Sequence, residues 1–598
     1  MPFQHTVIWI FLITWAWGLP SADTINSTEE ILNQLGYDSE AVIPEEDIIY
    51  LNSLLNEDHT VKNAITILSS ISILSAEDQE ILNQIRTLKD LYKNNQISTS
   101  LKRLIMNINI INKPTINAFI REKITITNGI RHDLRSSVSF RDYQFHLLFE
   151  KDPGEQNILD HAVFSVQGNT NSVQWIVGDH QLEGGYGLIT WKATSAYKGF
   201  ETINVLTRKG KGLKPYRSSN EYWSTKGLGV QWNSSFGTMM VSIGNTLQDG
   251  KVEDGKINID ETGLHVTEND LAYKNNLKEQ SATFLWTNDY LGNHFGIIMN
   301  NQHVVEGNGS TVSKAAASVF TTGKWQNWQW FGESAIHHNQ RISYLSGVIF
   351  RLDRIKYLVT IRSYPHHFRA YRSQPFSEWS SFNDGERGVF QNIQVKVKKH
   401  TFALYSDIAQ KVEEGNNTPY RLINHENGLR WQWYNSTHRF KIQFKQNSQT
   451  INEVNFEKNI FSTEKRRTTS KWQYQYNINK QLNIRWQINT ASFNKNESNG
   501  YGLETRILFK GNNVVSTASW IVAKVNDYSG RVYFWGLNLP GEMNSVAISH
   551  NGQQLGARIQ LLKRDNYRIF ARYRIKWPSL KFEGTTVKTG ALAIQINL

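Results

Sequence analysis

The chain contains 598 residues, with 19 Trp, 24 Tyr and 28 Phe but no Cys, and it carries a formal net charge of +12. Only 39% of the residues are hydrophobic and the mean hydropathy is −0.47, which excludes a bundle of membrane-spanning helices. The absence of Cys excludes disulfides, thiolate metal sites, a cysteine nucleophile and an acylated N-terminal cysteine.

The N-terminal segment 6–20, TVIWIFLITWAWGLP, is the one long apolar run of the sequence. It has the length of a signal-peptide core and is too short to cross a bilayer as a helix. Small residues at Gly18, Ser21 and Ala22 offer a cleavage site, although the first five residues lack a basic side chain. We therefore predict a signal peptide over residues 1–22 and export of the mature chain, with an uncleaved anchor as the alternative.

Residues 23–127 predict a small all-helical domain with an uneven charge. Segment 23–80 holds 13 acidic residues and one basic residue, whereas 81–126 holds eight basic and two acidic residues. Ser75 is a suitable N-cap for a helix. Apolar residues at helical spacing follow it at Ile81, Leu82, Ile85, Leu88 and Leu91. A further helix is predicted after Pro114, because proline suits a first helical turn.

From residue 128 the apolar period changes from 3.6 to 2, which predicts β-strands up to residue 598. The terminal strand is a candidate insertion signal, and its apolar residues are Leu592, Ile594, Ile596 and Leu598. Short polar turns such as 435–437 join the strands at one end, and longer hydrophilic stretches such as 245–280 join them at the other. We predict a large antiparallel transmembrane β-barrel of roughly 18–24 strands, with a soluble β protein as the alternative.

Several predicted strands carry basic residues on the face opposite their apolar residues. These candidate lumen-lining residues are Arg430, Arg439, Lys441, Arg485, Arg568, Arg572 and Arg574. In an open lumen they would produce a field that favours anions. Alternatively, they pair with acidic residues of a plug or of the helical domain, for which the acidic segment 23–80 is a candidate partner.

Seven sequence motifs follow one another along the predicted barrel. They are FEKDPGE (149–155), GDHQLEGGYGLITW (178–191), GLKPYRSSNEYWSTKGLGV (212–230), NDGERGVF (383–390), YSDIA (405–409), NDYSGRVYFW (526–535) and LGARIQLL (555–562). In this order they resemble a family of predicted outer-membrane β-barrels of Bacteroidetes-type bacteria that carry N-terminal, ComEA-like helix-hairpin-helix repeats. The resemblance implies a barrel in the bacterial outer membrane and a helical domain in the periplasm.

The helical segment has the rhythm of two helix-hairpin-helix units, which hold a DNA phosphate on backbone N–H groups of a glycine-rich hairpin. The hairpins here read SISI at 70–73 and INII at 108–111 and contain no glycine, so the repeats are degenerate. Side chains at these positions would crowd a phosphate, and we expect weak or no DNA binding. The candidate DNA or partner contacts are Lys89, Lys93, Lys102, Arg103, Lys113, Arg121 and Lys123.

The sequence contains few patterns that are typical of catalytic or metal-binding sites. A Gly-x-Ser-x-Gly motif is absent, and the loop-like run GKVEDGKI at 250–257 lacks the Ser or Thr of a phosphate-binding loop. The pairs at 337–338 and 366–367 are adjacent histidines, whose side chains would point to opposite faces of an extended strand. We therefore expect no enzymatic activity, no metal and no cofactor.

The sequence favours a non-enzymatic outer-membrane barrel that acts as a conduit or as an envelope-assembly component. The alternative is a competence-like protein that binds and takes up DNA. The expected partners are outer-membrane lipid, the barrel-assembly machinery and a periplasmic protein, with nucleic acid as a partner only under the alternative.

Overall fold

The computed structural model describes residues 31–597 apart from short gaps. The longest gaps are 38–42, 85–96, 111–116, 191–197, 380–384, 413–421, 455–459 and 581–585, and the others are the triplets 369–371 and 564–566, pairs and single residues. The predicted signal peptide 1–22 and the candidate residues Lys89, Lys93, Lys113 and Leu598 lie outside the described residues.

The described helices are short, and most of them precede the sheet. They are α1 (Glu45–Asn56), α2 (Val61–Ser70), α3 (Ala76–Gln84), α4 (Thr99–Ile105), α5 (Thr202–Val205) and α6 (Glu268–Tyr273). The N-cap prediction at Ser75 is confirmed, because its Oγ accepts a hydrogen bond from the backbone N–H of Asp78 at 3.0 Å. In the part of the chain that the structure describes, no helix is both long and apolar enough to cross a membrane.

The described strands form a closed antiparallel barrel whose wall contains 24 strands. The wall strands are β1 (Asn117–Ile126), β2 (Ile130–Phe140), β3 (Tyr143–Lys151), β4 (His161–Asn169), β5 (Val173–Glu183), β6 (Thr225–Ser234), β7 (Gly237–Gln248), β8 (Leu277–Tyr290), β9 (Asn293–Glu306), β10 (Thr311–Trp325), β11 (Trp328–His337), β12 (Ile342–Leu352), β13 (Ile355–Tyr364), β14 (Gly385–Val397), β15 (His400–Val412), β16 (Leu422–Tyr434), β17 (His438–Val454), β18 (Ile460–Asn477), β19 (Leu482–Phe493), β20 (Ser498–Lys510), β21 (Val514–Val525), β22 (Gly552–Lys563), β23 (Tyr567–Trp577) and β24 (Val587–Asn597). The barrel closes where β24 pairs with β1, with Ile120 opposite Ile596. The predicted fold class is confirmed.

Side chains along each wall strand alternate between the barrel interior and the outer surface. In β16, for example, Leu429 is 44% exposed whereas Arg430 is 2% exposed. In β24, Leu592 and Ile594 are exposed on the outside, and Ala593 between them is buried. An apolar outer face and a polar interior are the pattern of a barrel that spans the outer membrane.

The two ends of the barrel differ in the length of their connections. At the end where β1 begins, consecutive strands are joined by two to four residues, for example 141–142 and 435–437. Asn435 stabilises the second of these turns, because its Oδ1 accepts hydrogen bonds from the backbone N–H groups of Thr437 (2.8 Å) and His438 (2.6 Å). Exposed aromatic residues gather near the short turns, namely Phe140, Tyr143, Phe236, Tyr290, Trp325 and Trp328. Such residues form the girdle at a membrane interface.

The longest connections, 184–224, 249–276, 365–384 and 526–551, all lie at the opposite end. The largest apolar core of the barrel forms where the first and third of them pack against the wall from inside, with Phe200 and Phe376 fully buried. The connection 526–551 packs against inward-facing residues as well, with Leu539 against Phe570 of β23. Interior segments therefore fill much of the lumen.

The prediction of a helix after Pro114 is wrong, since residues 117–126 form the first wall strand, β1. Arg121 and Lys123 are 3% and 5% exposed and point into the barrel, whereas Ile120 and Ile126 are exposed on its outside. Residues 117–126 form a strand because this closes the barrel. Without β1, the edge of β24 would have no strand to pair with. The strand begins before the predicted barrel boundary at residue 128.

Candidate functional site

The connection 184–224 enters the lumen where strand β5 leaves the wall. Gly178 has φ +101°, and a Cβ there would lie 2.2 Å from the carbonyl oxygen of Phe164, so only glycine fits this bend. Further along, the buried carboxylate of Glu333 in β11 accepts hydrogen bonds from the backbone N–H groups of Tyr186 (2.5 Å) and Leu188 (3.2 Å). The segment is thereby attached to the inside of the wall.

A buried charge network, which we term the acidic anchor, holds two interior connections against the wall. It consists of Lys198, Arg362, Glu378, Glu386, Asp407 and Glu426. Arg362 of β13 donates to both carboxylate oxygens of Asp407 at 2.8 and 3.0 Å and also pairs with Glu386. Two cations thus face four carboxylates in this network.

Lys198 connects the acidic anchor to the connection 184–224. Its Nζ contacts Glu378 and lies 3.3 Å from Asp407 and 3.4 Å from Glu426. Burial alone would lower the pKa of Lys198, but Glu426, Glu378 and Asp407 together raise it, so Lys198 stays charged. Burial raises the pKa of Glu378, on the connection 365–384, despite its contact with Lys198.

The basic residues predicted to line a lumen lie on inward-facing positions, where two of them form ion pairs. Arg430 pairs with Glu201 at 2.6 Å, and Arg485 pairs with Glu504 of the neighbouring strand at 3.2 Å. Arg439 and Lys441 flank the outward-facing Phe440 on β17, and Lys441 is buried. The pairing of Arg430 with an interior connection is of the kind that the plug alternative expects, whereas the pairing of Arg485 lies within the wall.

On β23, the three predicted residues contact three different partners. Arg568 donates to the backbone carbonyl of Leu55 at 3.2 Å, and Arg572 pairs with Glu542. Arg574 donates to the Thr589 hydroxyl at 3.2 Å. The first contact joins β23 to helix α1, and the second joins it to the connection 526–551.

Helix α1 reaches into the barrel from the end with short turns. Its last turn meets Arg568 at that end, whereas Ile48 lines a cavity together with Thr127 and Pro153 from the opposite end. Its 12 residues span about 18 Å, enough to carry the helix well into the lumen. Inside, Asp47 Oδ1 lies 3.3 Å from Lys211 Nζ of the connection 184–224.

Helix α3 provides a second attachment at the mouth. Glu77 Oε1 accepts from Arg351 Nε at 2.7 Å and from Lys356 Nζ at 2.8 Å, and both cations flank a short turn of the wall. Burial would raise the pKa of Glu77, but Lys356 and Arg351 hold it below its usual range. Of the predicted DNA contacts on the helices, Lys102 is half-buried on α4, and Arg103 lies on the same helix.

A cavity of about 420 Å³ remains between α1, strands β1 and β2, strand β23 and the connection 526–551. Its charged lining residues are Lys123, Arg131, Asp133, Arg135, Glu542, Arg572 and Arg574, and we term this space the basic cavity. Asp133 pairs with Arg135 at 2.9 Å, and Arg131 pairs with Glu150 and with Asp152, neither of which lines the cavity.

The remaining charges of the basic cavity centre on Glu542. Its carboxylate pairs with Arg572, and it lies 3.8 Å from Lys123 Nζ. Burial would raise the pKa of Glu542, but Lys123 and Arg572 lower it, so the carboxylate stays ionised. Arg574 lines the same space with the Thr589 hydroxyl as its hydrogen-bond partner.

A third charged group, the His265 cluster, lies among the long connections at the far end. It contains Glu155, Asp160, Glu221, Asp249, His265 and Lys274. His265 Nε2 lies 2.8 Å from Asp249, its Nδ1 contacts Asp160, and Lys274 Nζ lies 2.5 Å from the other oxygen of Asp160. Although its carboxylates and imidazole are close enough for a metal ion, an imidazolium that donates from both nitrogens accounts for the same distances.

Two pKa shifts follow from this crowding. Burial lowers the pKa of His265, but hydrogen bonds to Asp160 and Asp249 raise it above its usual range overall. Burial and the nearby Asp249 raise the pKa of Glu221 to about 8. This cluster is not evident from the sequence, because its members come from three separate connections between residues 155 and 274. The one signal is that Glu155 and Glu221 lie in two of the quoted motifs.

No protein-family model matches the chain, and no curated protein matches it in sequence. Among solved structures, the copper transporter OprC has 7% identity over 82% of each chain, with a TM-score of 0.40. The ferric enterobactin receptor PfeA has 6% identity over 82% of this chain and 83% of its own, with a TM-score of 0.42. An anion-selective porin from Comamonas acidovorans has 7% identity over 81% and 99%, with a TM-score of 0.26.

Similarities at this level add nothing to the fold that the chain itself displays. The class of protein follows from the closed 24-strand wall, the apolar outer face and the aromatic residues beside the short turns. Together they define a large outer-membrane β-barrel.

Proposed function

We propose that this protein is a non-enzymatic outer-membrane conduit for anionic solutes, held closed by interior segments until they move. The observation that carries the proposal is a lumen that interior segments fill only in part. The acidic anchor packs one side, whereas the basic cavity leaves about 420 Å³ of space on the other. A large barrel with a filled lumen suits regulated passage better than a constantly open pore.

The same contacts support a plug role for the N-terminal helices. Outer-membrane barrels place their short turns in the periplasm, so α1 would enter the lumen from the periplasmic side. The helices touch the barrel through Asp47, Glu77 and the Leu55 carbonyl, which meet basic groups of the barrel and its interior connection. Among the described residues, the apolar core of the helices is a separate cluster from the apolar cores of the barrel, so these polar contacts are compatible with release.

DNA uptake, the alternative from the sequence, has less support. Of its candidate contacts, Arg121 and Lys123 lie inside the barrel rather than on the helices. The segment 108–111, where a phosphate-binding hairpin was considered, includes the two-residue strand Asn109–Ile110 paired with Asp58–His59. The proposal predicts no duplex DNA binding by the purified protein at physiological salt, and micromolar binding would restore the alternative.

Conductance in planar bilayers tests the proposal. The wild-type protein should conduct little, whereas Lys198→Met should conduct clearly, because it leaves Glu378, Asp407 and Glu426 to repel one another inside the barrel. Lys480→Met, in an exposed short turn, is the matched control and should behave as wild type. A wild-type protein that is constantly open, or a silent Lys198→Met barrel of normal heat-modifiability on gels, would contradict the proposal.

A further inference from the structure

We propose that the basic cavity is a binding site for a small dianion, either a dicarboxylate or a phosphate-bearing solute. This inference rests on the proposed function and names the class of solute that the conduit would recognise.

The size of the cavity fits a small-molecule ligand. Ligand sites typically measure roughly 300–1,000 Å³, and the cavity has about 420 Å³. At about 30 Å³ per water molecule, this space holds on the order of a dozen waters, or a small organic anion with part of its hydration shell. A macromolecule cannot enter a space of this size.

The charge of the lining fits two negative charges. Among the described residues that line the space, five are cations and two are carboxylates, a net charge of +3. Asp133 pairs with Arg135, and Arg131 pairs with Glu150 and Asp152 behind the lining. The other cations of the lining, Lys123, Arg572 and Arg574, lie around the carboxylate of Glu542. Lys123 and Arg572 are less than one-tenth exposed, so their charges face an interior where water screens them poorly.

The geometry of the donors also fits an oxyanion. A guanidinium group offers paired N–H donors that match a carboxylate or phosphate, and among the described residues the hydrogen-bond partner of Arg574 is the Thr589 hydroxyl. Neutral polar groups of Thr125, Thr127 and Ser219 line the same space and can donate further hydrogen bonds. Ile43 and Ile48 of the helical segment cover one side, so a ligand would contact the plug and the wall together.

Purely structural pairing is the competing explanation, and the acidic anchor shows what it looks like. There the described charges lie within ion-pair distance of one another. In the basic cavity, Lys123 also lies within ion-pair distance of Glu542, at 3.8 Å, but about 420 Å³ of open volume remains beside Arg574.

Isothermal titration calorimetry on the full-length protein in detergent tests the inference. Succinate and inorganic phosphate are the two dianionic probes, acetate is the monoanion, and succinamide is the neutral probe of matching size. Saturable binding of at least one dianion, clearly tighter than that of acetate and succinamide, supports the site. If succinate binds more tightly, the natural ligand is a dicarboxylate, and if phosphate binds more tightly, it is a phosphate-bearing solute.

Variants assign the binding to the cavity. Arg574→Gln should weaken dianion binding by about tenfold, the worth of one charge-assisted hydrogen bond, whereas Arg574→Lys should keep much of it. Arg439→Gln, an inward-facing arginine outside the lining, is the control and should change nothing. Equal affinity for succinamide, or an Arg574→Gln barrel that is normally heat-modifiable and binds as wild type does, overturns the inference.

The two proposals can fail separately. Saturable dianion binding by a barrel whose Lys198→Met variant is silent would leave the site standing and remove the conduit. An anion-selective Lys198→Met barrel that binds neither dianion would support the conduit and overturn the dianion site.

Discussion

Two regions of the same barrel interior handle charge in opposite ways. The acidic anchor sets two cations against four carboxylates and attaches interior connections to the wall. The basic cavity sets three cations against Glu542, once its paired charges are set aside, and it remains open. The difference teaches that a polar barrel interior does not by itself indicate a channel. A channel or binding site is indicated only where charged side chains line open volume instead of pairing with other groups of the protein.

The largest expected effect comes from breaking the acidic anchor. Arg362→Leu would leave the buried Glu386 without its cation and Asp407 with Lys198 alone, which should cost about 3–5 kcal/mol of stability. Arg466→Leu removes an exposed pair with Glu464 and should cost at most about 1 kcal/mol. Heat-modifiability on gels, read as the temperature at which the barrel unfolds, compares the two variants. Equal unfolding temperatures would show that the anchor does not hold the interior together.

A smaller loss of stability should come from placing a charge on the outer face of the barrel. This change tests which side chains face the lipid. Ile594→Lys places a charge among lipid tails and should cost about 2–4 kcal/mol if the residue lies near the midplane. Ile594→Leu is the control and should be close to neutral. The measurement is the fraction of protein that folds into lipid vesicles. Normal folding of the lysine variant would show that this position of the terminal strand does not face the lipid core.

Much of this arrangement could be predicted from the sequence, because the period-2 pattern is local. The apolar and polar faces of β16, β23 and β24 follow directly from alternation, and Phe570, the one apolar residue among the arginines of β23, is explained by its packing against Leu539. Strand β1 was missed, because Pro114 and the apolar spacing around Phe119 also fit a helix.

The candidate site could not be predicted beyond its individual cations. The basic cavity combines residues from α1, three wall strands and a long connection, and their distances exist only after the barrel closes. Sequence patterns likewise gave no means to tell Arg572, which contacts Glu542, from Arg574 on the same face of the strand.

The His265 cluster gives a third, smaller effect, which depends on pH. His265 has a raised pKa, so its contribution to stability is present below about pH 6.5 and is lost as the pH rises through its folded-state value. Glu221, whose pKa is raised from 4.5 to about 8, acts in the same direction, because the folded state keeps its proton between these values and the unfolded chain does not. Cleavage of segment 249–276 by an added protease should therefore accelerate as the pH rises above about 6.5, where both groups contribute. His265→Gln should flatten most of this dependence, and an increase in cleavage on acidification instead would contradict the assignment.

The smallest expected effect concerns the attachment of the helices at the mouth. Glu77→Gln removes a partly exposed carboxylate from Arg351 and Lys356 and should cost at most about 1 kcal/mol. Because the pKa of Glu77 is lowered, the wild-type contact is present near neutral pH and is lost on acidification below its usual value near 4.5. Occasional brief openings in bilayer recordings should become more frequent in the variant and in wild type at low pH. Glu253→Gln, an exposed pair at the other end, should leave them unchanged.

The most direct test of the central claim is the ion selectivity of the opened barrel. Reversal potentials of the Lys198→Met variant in a salt gradient should show a preference for anions, since the basic cavity then dominates the passage. Reversing Arg568, Arg572 and Arg574 to Glu in that background should shift the preference toward cations. A cation-selective Lys198→Met barrel, or a selectivity that the triple reversal leaves unchanged, would contradict the account.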